Sequence, residues 1–172
     1  MKTLFLLVSI FTLTFFSANA QDNLTQTTIQ AVLTGNQGQV IQLANAFSEE
    51  QYDWRPTEGV VSVGEALLHV AGGNYYLASK MGFAPPEDVD IMKLNKITGK
   101  ENIIAALEKS NAFVLEKITM VTTASLNEEV DFGFTKMNKL GGLLAIMEHN
   151  GEHKGQLIAY ARSNGVVPPW SK

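Results

Sequence analysis

Apolar residues recur every three or four positions in four separate stretches of the chain. This spacing places them on one face of a helix, so each stretch is predicted to be an amphipathic helix. The stretches cover about residues 26–47, 62–81, 98–121 and 137–163. No stretch alternates apolar and polar residues clearly enough to predict a strand. The chain is therefore expected to be all-α and to form a four-helix bundle.

Two of the predicted helices begin with the sequence signature of a capping box. Ser62 is followed by Glu65, and Thr98 is followed by Glu101. In such a pair the hydroxyl and the carboxylate accept hydrogen bonds from the free backbone N–H groups at the helix start. The second helix is expected to stop at Gly82, because glycine readily ends a helix.

The segments between the helices are predicted to be connections. Residues 48–59 and 83–96 have no sustained apolar period, and the second segment contains two adjacent prolines and several acidic residues. Trp54, in the first segment, is expected to fold back onto the core. Residues 125–133 are predicted to form a polar loop without a strand partner.

The first twenty residues are typical of a secretory signal and are set apart from the fold. Lys2 precedes an apolar run at 4–16, and Ala18 and Ala20 supply the small residues of a cleavage site. The run is too short to cross a bilayer as a stable helix, so we expect cleavage after Ala20 and no stable membrane insertion. Residues 21–172 would then form one exported domain, in the periplasm or outside the cell.

Composition and charge narrow the classes of partner. Of the 172 residues, 45% are hydrophobic and 17% are charged, which is typical of a globular protein. The chain has no cysteine, so disulfides and thiolate metal sites are excluded. Its 17 acidic residues outnumber its 13 basic ones, and the net charge of -4 gives no electrostatic basis for nucleic-acid binding. Small molecules or other proteins are the expected partners.

The three histidines of the chain have the spacing of a metal site. His149 and His153 are four residues apart on a predicted helix, so their rings project from the same face. His69 lies among apolar residues, where we expect it to be buried and where an unpaired imidazole would be costly. Three imidazoles suit a divalent transition metal, zinc or nickel first, and leave coordination positions open for chemistry. The alternative is three unrelated core or surface histidines.

Two stretches resemble the DinB-like superfamily, which includes the YfiT-like metalloenzymes. One runs from Trp54-Arg55-Pro56 through residues 62–71, and the other covers residues 149–157. The resemblance implies a four-helix bundle with one divalent metal, held by a histidine of the second helix and by an H-x3-H pair of the fourth. Those positions correspond to His69, His149 and His153. A homodimer is also compatible with the resemblance.

The resemblance indicates the reaction less specifically than it indicates the metal ligands. The resemblance implies a thiol-dependent transferase or isomerase, but the predicted export argues against thiol cosubstrates, which are chiefly cytosolic. The expected activity is therefore that of a hydrolase or a transferase. A metal ion that activates water for attack on an exported substrate fits better. A non-catalytic bundle that binds a metal or another ligand is the competing hypothesis.

Other polar residues near the predicted ligands are candidates for roles in the site. Tyr76, Gln156 and Tyr160 fall on the ligand faces of their helices and are expected to line a substrate pocket. Glu152 is the carboxylate expected to transfer protons, whereas Glu148 is expected to point further away.

Small residues flank the predicted ligands on both helices. Gly72 and Gly73 lie one turn after His69, and Gly142 and Ala145 precede His149. They indicate either an open cavity over the metal or close packing of the two helices, and the sequence does not choose between these.

Overall fold

The computed structural model describes residues 23–171, and the predicted signal and its cleavage site lie outside them. Four long helices account for most of the chain, so the predicted all-α bundle is confirmed. They are α1 (Leu24–Ala46), α2 (Val63–Lys80), α3 (Lys100–Met120) and α4 (Lys139–Ser163). Within the described residues, no helix combines the length and the apolar character needed to span a bilayer.

The core lies along the centre of the bundle. Helices α1 and α2 each contact both α3 and α4, so every helix contributes one buried face. Fully buried residues from the four helices include Leu33, Leu67, Leu107 and Ile146. Burial of each such side chain contributes about 1.5–3 kcal/mol, so the apolar faces predicted from the sequence hold the bundle together. Trp54 packs half-buried against this core, as expected.

One of the two predicted capping boxes is present and the other is wrong. At the start of α2, the backbone N–H of Glu65 donates to the Ser62 hydroxyl at 3.3 Å, and the Glu65 carboxylate accepts from the Ser62 backbone N–H at 2.7 Å. Helix α3 instead begins after Gly99, whose φ of +84° is a conformation that favours glycine.

Residue Glu49 takes the place of the predicted Thr98–Glu101 capping box. The Lys100 backbone N–H donates to the carboxylate of Glu49, which lies in the connection between α1 and α2, at 3.1 Å. A cap supplied by a residue far away in the sequence produces no recognisable local motif. The local motif at Thr98 and Glu101 therefore predicts the wrong cap.

The predicted loop at 125–133 is also wrong in part, because it contains a strand. Strand β1 (Glu129–Asp131) pairs antiparallel with β2 (Lys136–Asn138), and α4 begins only after β2. Phe132 follows β1 and is fully buried, so it anchors the hairpin to the bundle. The Tyr76 hydroxyl donates to the Phe132 carbonyl at 2.6 Å and ties the hairpin to α2.

A buried cluster of amides fixes α2, α3 and α4 relative to one another. The Asn150 side chain donates to the Asn74 side-chain oxygen at 2.8 Å, and Asn74 donates to the Asn111 oxygen at 3.0 Å. Asn74 and Asn150 are fully buried, where unpaired amides would be costly. Asn150 directly follows His149, so the same cluster sets the position of α4 opposite His69 on α2.

Filling open glycine positions in α1 is expected to stabilise the fold. A Cβ atom at Gly35 or Gly38 would meet nothing within 4 Å, so Gly35→Ala and Gly38→Ala should each raise the free energy of unfolding by about 1 kcal/mol. Urea unfolding measures this. Gly142→Ala is the control, because its Cβ would lie 2.8 Å from the Met81 sulfur, and it should lower the free energy of unfolding.

Candidate metal centre

The three histidines meet between α2 and α4. Their ring centroids are 4.6–5.0 Å apart, and one ring nitrogen from each lies within 4.8 Å of the others. The Nε2 atoms of His69 and His149 are 3.2 Å apart. Residues 80 positions apart in the chain therefore direct their nitrogens at the same point.

This arrangement fits a transition metal. Tetrahedral zinc holds imidazole nitrogens at about 2.0–2.1 Å, which places two such nitrogens about 3.3 Å apart. The 3.2 Å between the Nε2 atoms of His69 and His149 agrees with that spacing. Three nitrogen donors without a carboxylate favour zinc, nickel or copper over magnesium or calcium.

His69 is exposed, so the prediction that it is buried is wrong. Its neighbours Leu68 and Val70 are buried in the core, but His69 lies on the side of α2 that faces a cavity. Apolar neighbours in sequence do not bury a helical residue, because successive residues point about 100° apart. The imidazole is therefore accessible from the cavity.

Gly73 provides the space that the His149 ring occupies. A Cβ atom on Gly73 would lie 2.8 Å from Nδ1 and 2.9 Å from Nε2 of His149, and closer still to Cε1. At Gly72, one residue earlier, a Cβ would have only Leu94 Cδ1 within reach, at 3.9 Å. The small residues thus serve both predicted purposes, since Gly73 allows close packing and Gly72 borders the cavity.

The surroundings of His69 and His149 lower the pKa values of both imidazoles and so favour their neutral form. The enclosed position of His149 lowers its pKa to about 4, and the neighbouring His153 and His69 contribute to the shift. His69 is open to the cavity, but the surrounding protein removes water from part of its ring. This partial desolvation and the neighbouring His153 lower the pKa of His69, against a smaller opposite effect of the Glu152 carboxylate. Neutral imidazoles are the form that binds metals. The Nδ1 atom of His149 is buried and has no hydrogen-bond partner among the described residues.

Gln156 and Tyr160 form a hydrogen-bond chain behind His153. The Tyr160 hydroxyl donates to the Val61 carbonyl at 3.1 Å, which can only accept. The hydroxyl oxygen must then accept from the Gln156 amide at 3.0 Å, so the Gln156 carbonyl faces Nδ1 of His153 at 2.7 Å. Nδ1 of His153 therefore carries the proton, and Nε2 is free for an ion.

A cavity of about 920 Å³ opens beside His69 and His149, and we call it the histidine cavity. It is lined by Arg55, Gly59, Val60, Val61, Glu65, Leu68, His69, Gly72, Gly73, Tyr76, Leu77, Ile91, Met92, Leu94, Asn95, Phe134, Ala145, Glu148 and His149. Its volume is in the range of small-molecule sites.

The other predicted site residues occupy different positions relative to this cavity. Tyr76 lines it, but its hydroxyl already donates to Phe132. Gln156 and Tyr160 are not among the lining residues and instead support His153. Glu152 is exposed beside the histidines and acts electrostatically on His69, whereas Glu148 lines the cavity. Residues such as Met92 and Phe134 were not predicted to line the site because they lie in the connections, outside the helices predicted from the sequence.

The metal-free protein is expected to lose stability as the pH falls from about 6.5 to about 4. Above the usual pKa of 6.5, His149 is neutral in the folded and unfolded chains and adds nothing. Between the two values the unfolded chain binds a proton that the folded chain does not, so the free energy of unfolding rises with pH. Below about 4 the penalty is complete.

Urea unfolding of the metal-free protein across this pH range measures the effect. His149→Gln removes the imidazole whose pKa is lowered to about 4 and should make the dependence shallower, while the lowered pKa of His69 still contributes in the same direction. An equally steep dependence in this variant would contradict the assignment to His149.

The sequence profile of the DinB family matches residues 21–172. The chain belongs to the DinB family. A relative named YjoA, from Bacillus subtilis strain 168, is 29% identical over 136 residues, which is 72% of this chain and 80% of the relative.

Solved DinB-like structures share the fold. A DinB-like protein from Bacillus cereus ATCC 10987 has a TM-score of 0.69 at 18% identity, over 79% of this chain and 90% of that protein. The structure of YjoA from Bacillus subtilis has a TM-score of 0.58 at 26% identity, over 81% of this chain and 93% of that one.

In this DinB family member, the Trp54-Arg55 segment supports the site from outside. The Trp54 ring packs edge-on against Tyr160, with centroids 5.3 Å apart. The Arg55 guanidinium lies 3.4 Å from the Glu65 carboxylate, at the first turn of α2. The segment that carries part of the family resemblance thus contacts the hydrogen-bond chain behind His153.

Proposed function

We propose that the protein binds one divalent transition metal ion, zinc or nickel, through His69, His149 and His153, and uses it in a hydrolase or transferase reaction. The observation that supports this most directly is the convergence of three imidazoles beside the histidine cavity. A bound ion would act as a Lewis acid on water or on a substrate oxygen. Three protein ligands would leave positions open for these groups.

The residues around the ion would have separate roles. His69 and His149 face the cavity and would hold the ion where a substrate can reach it. Gln156 would fix the tautomer of His153. Glu152, exposed beside the histidines, is the carboxylate proposed to transfer a proton, and Glu148 on the cavity wall is the second candidate. The export proposed from the N-terminal sequence would place this chemistry outside the cytoplasm.

Metal uptake tests the proposal. The protein, purified without a histidine tag, is stripped with a chelator and titrated with zinc or nickel, and bound metal is measured by elemental analysis. We expect one ion per chain, and none in a variant with His69→Ala, His149→Ala and His153→Ala combined. A wild-type protein that takes up neither ion would refute the metal site.

The competing function is a non-catalytic bundle that binds a ligand or partner, in which the metal is structural or absent. The large apolar core argues against a structural metal, because it should keep the helices folded without an ion. Circular dichroism before and after metal removal tests for a structural metal. Unfolding on chelation would favour a structural metal, whereas unchanged helicity would exclude that role.

A further inference from the structure

The floor of the histidine cavity is apolar. Buried residues from α2 and from the connection before α3 form it, among them Leu68, Leu77 and Leu94. This surface begins directly beside the two cavity-facing histidines. A ligand that reaches the histidines therefore also contacts hydrocarbon.

The rim of the cavity is apolar as well, although it faces water. Val61, Tyr76, Met92 and Phe134 line the cavity and are all exposed, Met92 by 83% and Phe134 by 68%. They come from four separate segments of the chain. Single exposed apolar residues are common, but several that surround one cavity indicate a surface that a ligand covers.

The charges of the cavity argue against a strongly anionic ligand. Arg55 is the only cation among the described lining residues, and it is already engaged by the Glu65 carboxylate and by the Val60 carbonyl at 3.1 Å. Glu148 adds a negative charge to the wall. Phosphate-rich substrates would find no free basic group on these walls.

We propose that the substrate is an amphiphile whose uncharged apolar body fills the histidine cavity and whose polar reacting group lies at His69 and His149. This rests on the proposed function, and it adds the substrate class. The apolar body contacts the floor at Leu94 and the rim at Met92 and Phe134. Alkyl and aromatic bodies share this chemistry, and the test separates them.

A chain-length series tests the proposal. Linear alkyl hydroxamates, which bind metals through their oxygens, are titrated into the zinc-loaded protein by calorimetry, starting from acetohydroxamate. We expect affinity to rise about three- to fourfold per methylene until the cavity is full. Phenylalkyl hydroxamates with the same number of carbons show whether an aromatic body is preferred.

Matched variants locate the effect. Met92→Gln and Phe134→Gln remove apolar side chains from the rim and should reduce the gain in affinity per methylene, measured relative to the acetohydroxamate affinity of the same variant. Met120→Gln, at the exposed end of α3, is the control and should leave the gain unchanged.

The outcomes separate the two proposals. If acetohydroxamate binds but longer chains bind no better, the amphiphile proposal is overturned and the metal proposal stands. If no metal binds, 1-alkanols are tested on the metal-free protein by displacement of a fluorescent apolar probe. If the affinity for alkanols rises with their chain length, the apolar binding part of the proposal is supported without the metal. If the affinity does not depend on chain length, that part is overturned as well.

Discussion

Gly73→Ala is expected to weaken zinc binding by about ten- to a hundredfold while the bundle stays folded. The new Cβ would lie within 2.9 Å of both ring nitrogens of His149, closer than side chains tolerate. Overpacking of this kind costs about 1–3 kcal/mol, which corresponds to about five- to 160-fold in affinity and includes the expected range. The ring can avoid the clash by rotating away from His69, and this movement separates the two nitrogens that would hold the ion.

The stability of the same variant should not fall in parallel. Alanine favours a helix over glycine by about 1 kcal/mol, which offsets part of the strain. Gly72→Ala is the matched control, since its Cβ would have only Leu94 within reach, at 3.9 Å. Zinc affinity is measured by competition with a chelator, and stability by urea unfolding. Equal zinc affinities of the two alanine variants would show that the His149 ring does not depend on Gly73.

The bundle could be predicted because its helices are long and periodic. In each helix the buried face repeats over five or more turns. A pattern of that length is not easily produced by chance or confused with the period of a strand. The hairpin of β1 and β2 could not be predicted, because three residues per strand are too few to show an alternation of apolar and polar residues. What fixes it is long-range, namely the burial of Phe132 and its bond to Tyr76.

The histidine cluster was visible in the sequence for a related reason. Four-residue spacing on a helix fixes the relation between His149 and His153, and the chain has only one other histidine to complete the set. The exposure of His69 was not visible, because burial depends on which side of α2 faces a neighbouring helix. The cavity rim was missed because Met92 and Phe134 lie in connections whose paths no local pattern specifies.

Gln156→Leu is expected to lower the affinity for zinc by about ten- to a hundredfold, the usual effect of removing the hydrogen-bond partner of a metal-binding histidine. Leucine is close to glutamine in size but cannot accept the proton of His153 Nδ1. The imidazole could then take either tautomer and rotate, and Nε2 would no longer be held toward His69 and His149. Helicity and the free energy of unfolding should change little, since Gln156 is only half-buried.

Two further variants show that the effect comes from the hydrogen bond. Gln156→Glu keeps an acceptor at 2.7 Å from His153 and should retain most of the affinity. Tyr160→Phe keeps the packing against Trp54 but removes the hydroxyl that ends the hydrogen-bond chain behind His153. Its loss of zinc affinity should lie between the losses of the two Gln156 variants. The tautomer is read from the nitrogen chemical shifts of His153 in the metal-free protein. An unchanged tautomer together with unchanged affinity in Gln156→Leu would show that packing alone orients the ring.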